Sequence, residues 1–198
     1  MVKISIVDYG VGNLHSIRKA IEFSGAKVLV TKDPKLLRGC DAIVLPGVGA
    51  FSGAMSEMPK EIVIEEALSG KPIFGICLGM QLLFEYNEEG NGNGLCLVKG
   101  RVVRLPNTVK IPHIGWNIVE IVKNHPIVEE IPAQVYMYFV HSYYVQAKDK
   151  EISLANSKYG VEFPSIIASE NIFGTQFHPE KSGVHGLKII KNFVSLLK

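Results

Sequence analysis

The run Gly75-Ile76-Cys77-Leu78-Gly79 constrains this chain more than any other feature. The apolar segment Lys71-Pro72-Ile73-Phe74 precedes it, and Met80-Gln81-Leu82-Leu83-Phe84 follows with helical character. A reactive side chain between two glycines at a strand-to-helix junction needs a turn too sharp for neighbouring β-carbons. Small flanking residues let that side chain stand clear of the sheet. Far downstream, His178-Pro179-Glu180 offers a base and a carboxylate able to orient it.

Bulk properties are compatible with an enzyme built around that turn. The 198 residues suit one domain over 1–198, and a hydrophobic content of 47% with 20% charged residues supports a sizeable core. With 21 basic against 19 acidic residues, the net charge of +2 argues for neither a nucleic-acid nor a membrane partner. Asp8 arrives too early for a signal peptide, and no apolar run approaches the roughly 18 residues of a membrane span. Cys40, Cys77 and Cys96 form no Cys-x-x-Cys pair and leave one thiol over, so a cytoplasmic location is expected.

The N-terminal half alternates strand and helix signals. Strands are expected at Val2 to Val7, Val28 to Thr31, Ala42 to Leu45 and up to Gly75. Asn13 reads as the N-cap of a helix with Leu14, Ile17, Ala20 and Ile21 on one face and Gly25 closing it. A helical stretch is expected over much of Ala50 to Ser69, and another at Gly186 to Lys198. The alternation implies an α/β, flavodoxin-like, mostly parallel sheet with helices on both faces. Its chemistry would gather at the carboxyl ends of the strands, where Asp8-Tyr9-Gly10, Pro46-Gly47 and Cys77 lie. Glu88 to Gly94 reads as a polar, glycine-rich loop. Beyond it, β signals at Arg101 to Leu105, Ile118 to Val122, Val135 to Val140, Val161 to Ala168 and Ile172 to Gln176 predict an antiparallel elaboration on the sheet edge. No internal repeat or low-complexity tract interrupts the chain.

Thiolate attack on a carboxamide needs a thiolate, a base and an oxyanion hole. Cys77 at a helix N-terminus is placed where the macrodipole favours an anion. His178 can take the thiol proton and return it to the departing nitrogen. Glu180 can fix the tautomer of His178, provided Pro179 holds the segment extended. The Leu78 N–H is one oxyanion donor by elbow geometry, and Gly47 or Val48 of Pro46-Gly47-Val48-Gly49 is the candidate for the second. Cys40 and Cys96 read as structural thiols, and His15, His125 and His185 lack metal-ligand spacing, so no metal site is expected. Trp116 is either a core aromatic or, if exposed, an interface anchor. Residues alone lead to a thiol amidase or acyl-transferase.

The strings Asp8-Tyr9-Gly10-Val11-Gly12-Asn13, Pro46-Gly47-Val48-Gly49-Ala50-Phe51, Pro112-His113-Ile114-Gly115-Trp116-Asn117, His141-Ser142-Tyr143-Tyr144 and Gly174-Thr175-Gln176-Phe177-His178-Pro179-Glu180-Lys181-Ser182-Gly183 occur in order around the Cys77 motif. Together they resemble the class I, triad-type glutamine amidotransferases, and among them the glutaminase subunits of imidazole glycerol phosphate synthases. The resemblance implies Cys77 as nucleophile, His178 as base and Glu180 as its partner. It implies that Gly49, Gln81, Ser142 and Tyr143 hold glutamine with help from Glu89, and that Asn13, Trp116, Tyr138 and Lys181 face a (β/α)-barrel cyclase subunit. The implied reaction releases ammonia from L-glutamine for that partner in histidine biosynthesis and needs no cofactor. In such a subunit the Pro46 to Gly49 loop would be a switch, so Gly47→Pro would cripple turnover while sparing folding and partner binding. The rival readings are a glutaminase subunit of a vitamin B6 or purine synthase, a small cysteine peptidase or stress-type hydrolase, and a catalytically silent binding module of the same fold. Cys96 stands where a glycine is commoner in these relatives.

Overall fold

The computed structural model describes residues 1–10 and 12–198; Val11, within the first of the strings above, lies outside them. Its larger sheet has nine strands. Five run parallel, in the order β2 (Lys27–Thr31), β1 (Lys3–Val7), β3 (Ala42–Leu45), β4 (Ile73–Ile76) and β13 (Ile172–Thr175). The sheet continues antiparallel through β12 (Val161–Ser169), β11 (Ser153–Tyr159), β8 (His113–Ile121) and β9 (Gln134–His141). The short parallel strands β3 and β4 are buried at every residue, as continuous apolar runs covered on both faces must be.

Helices cover both faces. On one, α1 (Leu14–Phe23) buries Ile17, Ala20 and Ile21, and α6 (Gly183–Ser195) buries Ile189, Ile190 and Phe193. Phe193 packs on Phe74 of β4 with ring centroids 4.8 Å apart. The other face carries α2 (Pro34–Arg38), α3 (Phe51–Glu57), α4 (Lys60–Leu68) and α5 (Leu78–Leu82). A second sheet, in the order β10 (Tyr143–Ala147), β7 (Val98–Arg104), β5 (Phe84–Asn87) and β6 (Gly92–Asn93), joins that second core through Val98, Val102 and Val145.

The doubly covered α/β sheet matches expectation, and several details differ. The helical stretch of Ala50 to Ser69 is broken into α3 and α4, because Met58, ahead of Pro59, is extended. The elbow helix ends at Leu82, and Phe84 opens a strand. The cause is tertiary: the Leu82 and Leu83 carbonyls accept from Leu95, Leu97 and Val98 rather than from further helical turns. The polar segment after Asn87 includes β6, which closes a hairpin on β5. The strand expected at Arg101 to Leu105 falls, as far as Arg104, in β7 of the second sheet, not at an edge of the first. Asn13 occupies the N-cap position of α1 in left-handed conformation, but its side chain caps nothing there. Among the described residues, no helix is long and apolar enough to cross a membrane.

Candidate active site

The elbow between β4 and α5 is built by close approach. A β-carbon on Gly79 would lie 1.9 Å from the Leu45 carbonyl oxygen, and one on Gly75 would lie 2.6 Å from the Gly79 backbone. The strained dihedral falls on Cys77 itself, at φ 53° and ψ −106°, a region that non-glycine residues rarely occupy. Its N–H donates to Thr175 O at 2.7 Å, which ties the turn to the end of β13. The thiol, nearly buried, points to Val140 O at 3.5 Å and receives Gln176 Nε2 at 3.6 Å.

His178 and Glu180 sit behind the thiol. His178 is fully buried, its Nδ1 is 2.9 Å from Glu180 Oε1, and its Nε2 has no partner within hydrogen-bonding distance. The Glu180 side chain has no exposure, and its Oε1 also accepts from Asn13 Nδ2. Burial opposes charge on His178, but the negative charge of Cys77 and the hydrogen bond and charge of Glu180 favour it and raise the imidazole to about 10. These neighbours favour the protonated ring, with the Nδ1 hydrogen bonded to Glu180. Contrary to the extended segment expected from Pro179, residues Pro179–Lys181 form a single 3₁₀ turn. That turn, following an extended His178, folds the carboxylate back under its own imidazole.

In front of Cys77 lies a cavity of about 400 Å³. Gly47, Val48, Gly49, Leu78, Gln81, Glu89, Ser142 and Tyr143 all line it, so the structure brings the expected oxyanion and glutamine-binding positions around one space. The Glu89 carboxylate accepts from Phe51 N at 3.0 Å, which anchors it to the start of α3. Gly47 is not a free hinge. A β-carbon there would meet Leu78 Cβ at 2.5 Å and Gly79 N at 2.6 Å, so Gly47→Pro would disturb the elbow as well as the loop. The backbone freedom in this loop is at Gly49, with φ 134°. A wider cleft of about 610 Å³ beside His125 and Glu129 contains none of these residues.

Of the expected partner-facing residues, Trp116, Tyr138 and Lys181 cluster. The Trp116 and Tyr138 ring centroids are 6.0 Å apart, and Lys181 Nζ is 6.0 Å from the Tyr138 centroid. Lys181 also borders the cavity, and Asn13 turns inward to Glu180. Tyr9 was given no role by the sequence. Its hydroxyl donates to Pro46 O, and burial, then the charge of Cys77, push its pKa well above 10 and keep it a donor. Gln176, His113 and His141 were likewise missed as individuals, although two-residue alternation with His178 in an extended run was a signal for Gln176. Cys40 is buried, whereas Cys96 is exposed at φ 55°, which explains why glycine suits its position. Among the described residues, no group of three or more His, Cys, Asp or Glu is arranged to hold a metal ion.

A cysteine on a strained strand-to-helix elbow, backed by a His-Glu pair on a doubly wound sheet, defines a class of thiol-dependent amidases. The family described as glutamine amidotransferase class-I matches residues 5–196. The chain is 50% identical to the imidazole glycerol phosphate synthase subunit HisH of Methanocaldococcus jannaschii over 98% of this chain and 100% of that one. It is 48% identical to the protein of the same name from Caldanaerobacter subterraneus subsp. tengcongensis, over 98% of both chains. The structure of PurLQS from Thermotoga maritima shares the fold, with a TM-score of 0.80 at 21% identity over 100% of this chain and 99% of that one. The chain belongs to the class I glutamine amidotransferases and, within them, to the family of the HisH subunits.

Proposed function

We propose that this chain, as one glutamine amidotransferase domain, is the glutamine-hydrolysing subunit of an imidazole glycerol phosphate synthase in histidine biosynthesis. The reading is carried by the Cys77 elbow opening onto a cavity of about 400 Å³, roomy enough for an amino-acid substrate, with the His178–Glu180 pair behind it. Glutamine enters with its α-amino and carboxylate groups toward Glu89, Gln81 and the Ser142-Tyr143 backbone. The Cys77 sulfur attacks the side-chain carboxamide carbon, and the developing oxyanion takes N–H donors from Leu78 and from Gly47 or Val48 of the facing loop. His178 delivers its proton to the nitrogen as the C–N bond breaks, which leaves ammonia and a thioester on Cys77. Water, deprotonated by His178, then splits the thioester to glutamate and the free thiol.

Ammonia released into neutral water would be protonated and lose its nucleophilicity, so a partner must receive it directly. The partner in this reading is a (β/α)-barrel cyclase subunit, and the setting is the cytoplasm. One sheet face supports a docking surface. Ile114, Trp116 and Ile118 of β8 pair with Val140, Tyr138 and Tyr136 of β9, and Ile114, Trp116 and Tyr136 are 60%, 56% and 61% exposed. The test is glutamate release from glutamine with and without the cyclase subunit and its nucleotide ligand, beside Cys77→Ala. Partner-dependent release that disappears in the variant is expected. No release in any combination, with the complex formed, would make the chain a binding module.

A further inference from the structure

Gln176 is fully buried just beyond the carboxyl end of β13, and the steps above leave it unused. Its amide is wedged between Cys77 and Gln81, with Nε2 3.6 Å from Cys77 Sγ and Oε1 3.2 Å from Gln81 Nε2. A backbone carbonyl decides which end meets the sulfur. Tyr143 O can only accept, and Gln81 meets it at 2.8 Å, so Gln81 presents its NH₂ there. The same NH₂ reaches Gln176, which must therefore turn its oxygen to Gln81 and its NH₂ to Cys77. Reversing either amide would set two donors or two acceptors face to face.

The chain of contacts extends beyond Tyr143. Its carbonyl also faces His141 Nδ1 at 2.9 Å, so that nitrogen carries the proton. His141 Nε2 then accepts from His113 Nδ1 at 3.0 Å, in a buried pair whose outer ring stacks on Tyr159 at 3.9 Å. Every polar atom along this path has its direction set by its neighbour, and the path ends on the nucleophile.

We infer that Gln176 is a further catalytic residue, whose amide N–H donates to the Cys77 sulfur and stabilises it as a thiolate, with Gln81 as the positioning residue that fixes the amide. The inference deepens the glutaminase reading and rests on it. His178 stabilises the sulfur with a proton it must also give away. An amide N–H does not leave its nitrogen, so Gln176 supports the anion without competing for that proton. As the sulfur attacks, its charge moves to the carboxamide oxygen and the amide contact weakens while the oxyanion contacts form.

The experiment follows the pH dependence of Cys77 alkylation by iodoacetamide in the whole chain, read as mass added to the Cys77-containing peptide so that exposed Cys96 does not interfere. In Gln176→Leu the midpoint should rise by about one pH unit, with glutamine kcat down about tenfold and KM nearly unchanged. Gln176→Glu, nearly isosteric, should raise it further by setting a carboxylate against the sulfur. It carries the test if the leucine variant does not fold. Gln81→Leu should shift the midpoint in the same direction, by less. Unchanged midpoints in the folded Gln176 variants would overturn the inference. Alkylation needs no glutaminase activity, so its result is separable from failure of the functional reading.

Discussion

Cys77 holds a conformation that its own side chain disfavours, and the surrounding contacts make it the outcome of folding. Its N–H is taken by Thr175 O, its φ is positive, and glycines at 75 and 79 leave room for the backbone that crosses behind it. Residue chemistry then concentrates on one carboxylate. Glu180 Oε1 receives both His178 Nδ1 and Asn13 Nδ2, so it holds the imidazole while being held by the turn before α1. Glu180→Gln keeps the shape but replaces the carboxylate by an amide. We expect glutamine turnover in the presence of the partner to fall by about 10²- to 10⁴-fold, with a lowered thermal midpoint because the buried His178 loses its counter-charge. A loss of less than tenfold in steady-state glutamate release would remove Glu180 from the machinery.

At the scale of elements, the β8–β9 hairpin presents an exposed apolar face and buries His113 and His141. Burial, reinforced for His141 by neighbouring histidines, lowers the two rings to about 4 and about 3. The sign of the consequence follows from proton counts. Below about pH 6.5 an unfolded histidine binds a proton that these buried rings refuse, so the unfolded state is favoured as pH falls from about 6.5 toward 4. His113→Phe keeps a ring against Tyr159 and removes one refused proton. Its urea midpoint should fall less steeply over that window, a difference of up to about 3 kcal/mol at pH 4; parallel wild-type and variant curves would contradict it.

The elements also show what was legible before the structure. Parallel strands read clearly because their apolar runs are short and bounded by turn residues, as in Ala42 to Leu45. Strands β10 and β11 did not read, since Tyr143–Ala147 and Ser153–Tyr159 mix polar residues into half-buried faces. The elbow helix looked longer than it is because Leu83 and Phe84 continue a helical pattern. Long-range bonds from 95–98 capture the carbonyls that pattern needed. Cys77, His178, Glu180 and the named cavity positions other than Glu89 lay in legible motifs. Asn13, Gln176 and the His113–His141 pair lay inside the same strings, yet the roles of their side chains depend on neighbours more than 20 residues away.

For the whole molecule, if the exposed aromatics of β8 and β9 form the proposed docking surface, stability and association rest on different residues. The face around Trp116, Tyr136 and Tyr138 contributes little to either core, so losing it should cost the isolated chain almost nothing. Trp116→Ala is expected to weaken cyclase binding by about 2 kcal/mol in titration calorimetry while leaving the free chain's thermal midpoint in place. Equal affinity for both proteins would move the docking surface elsewhere.

The amino-acid sequence by itself determined the local commitments of this protein: an elbow that only small neighbours allow, apolar runs suited to a covered parallel sheet, and a base with its carboxylate two residues on. These follow from properties of adjacent residues, sterics and period. Only the tertiary structure decided that Glu180 is shared by His178 and Asn13, that Gly47 is fixed against Leu78, and that a line of hydrogen bonds from His113 ends on Cys77. Hydrogen-bond direction and steric contact are properties of atoms brought together across the chain, and no single segment contains them.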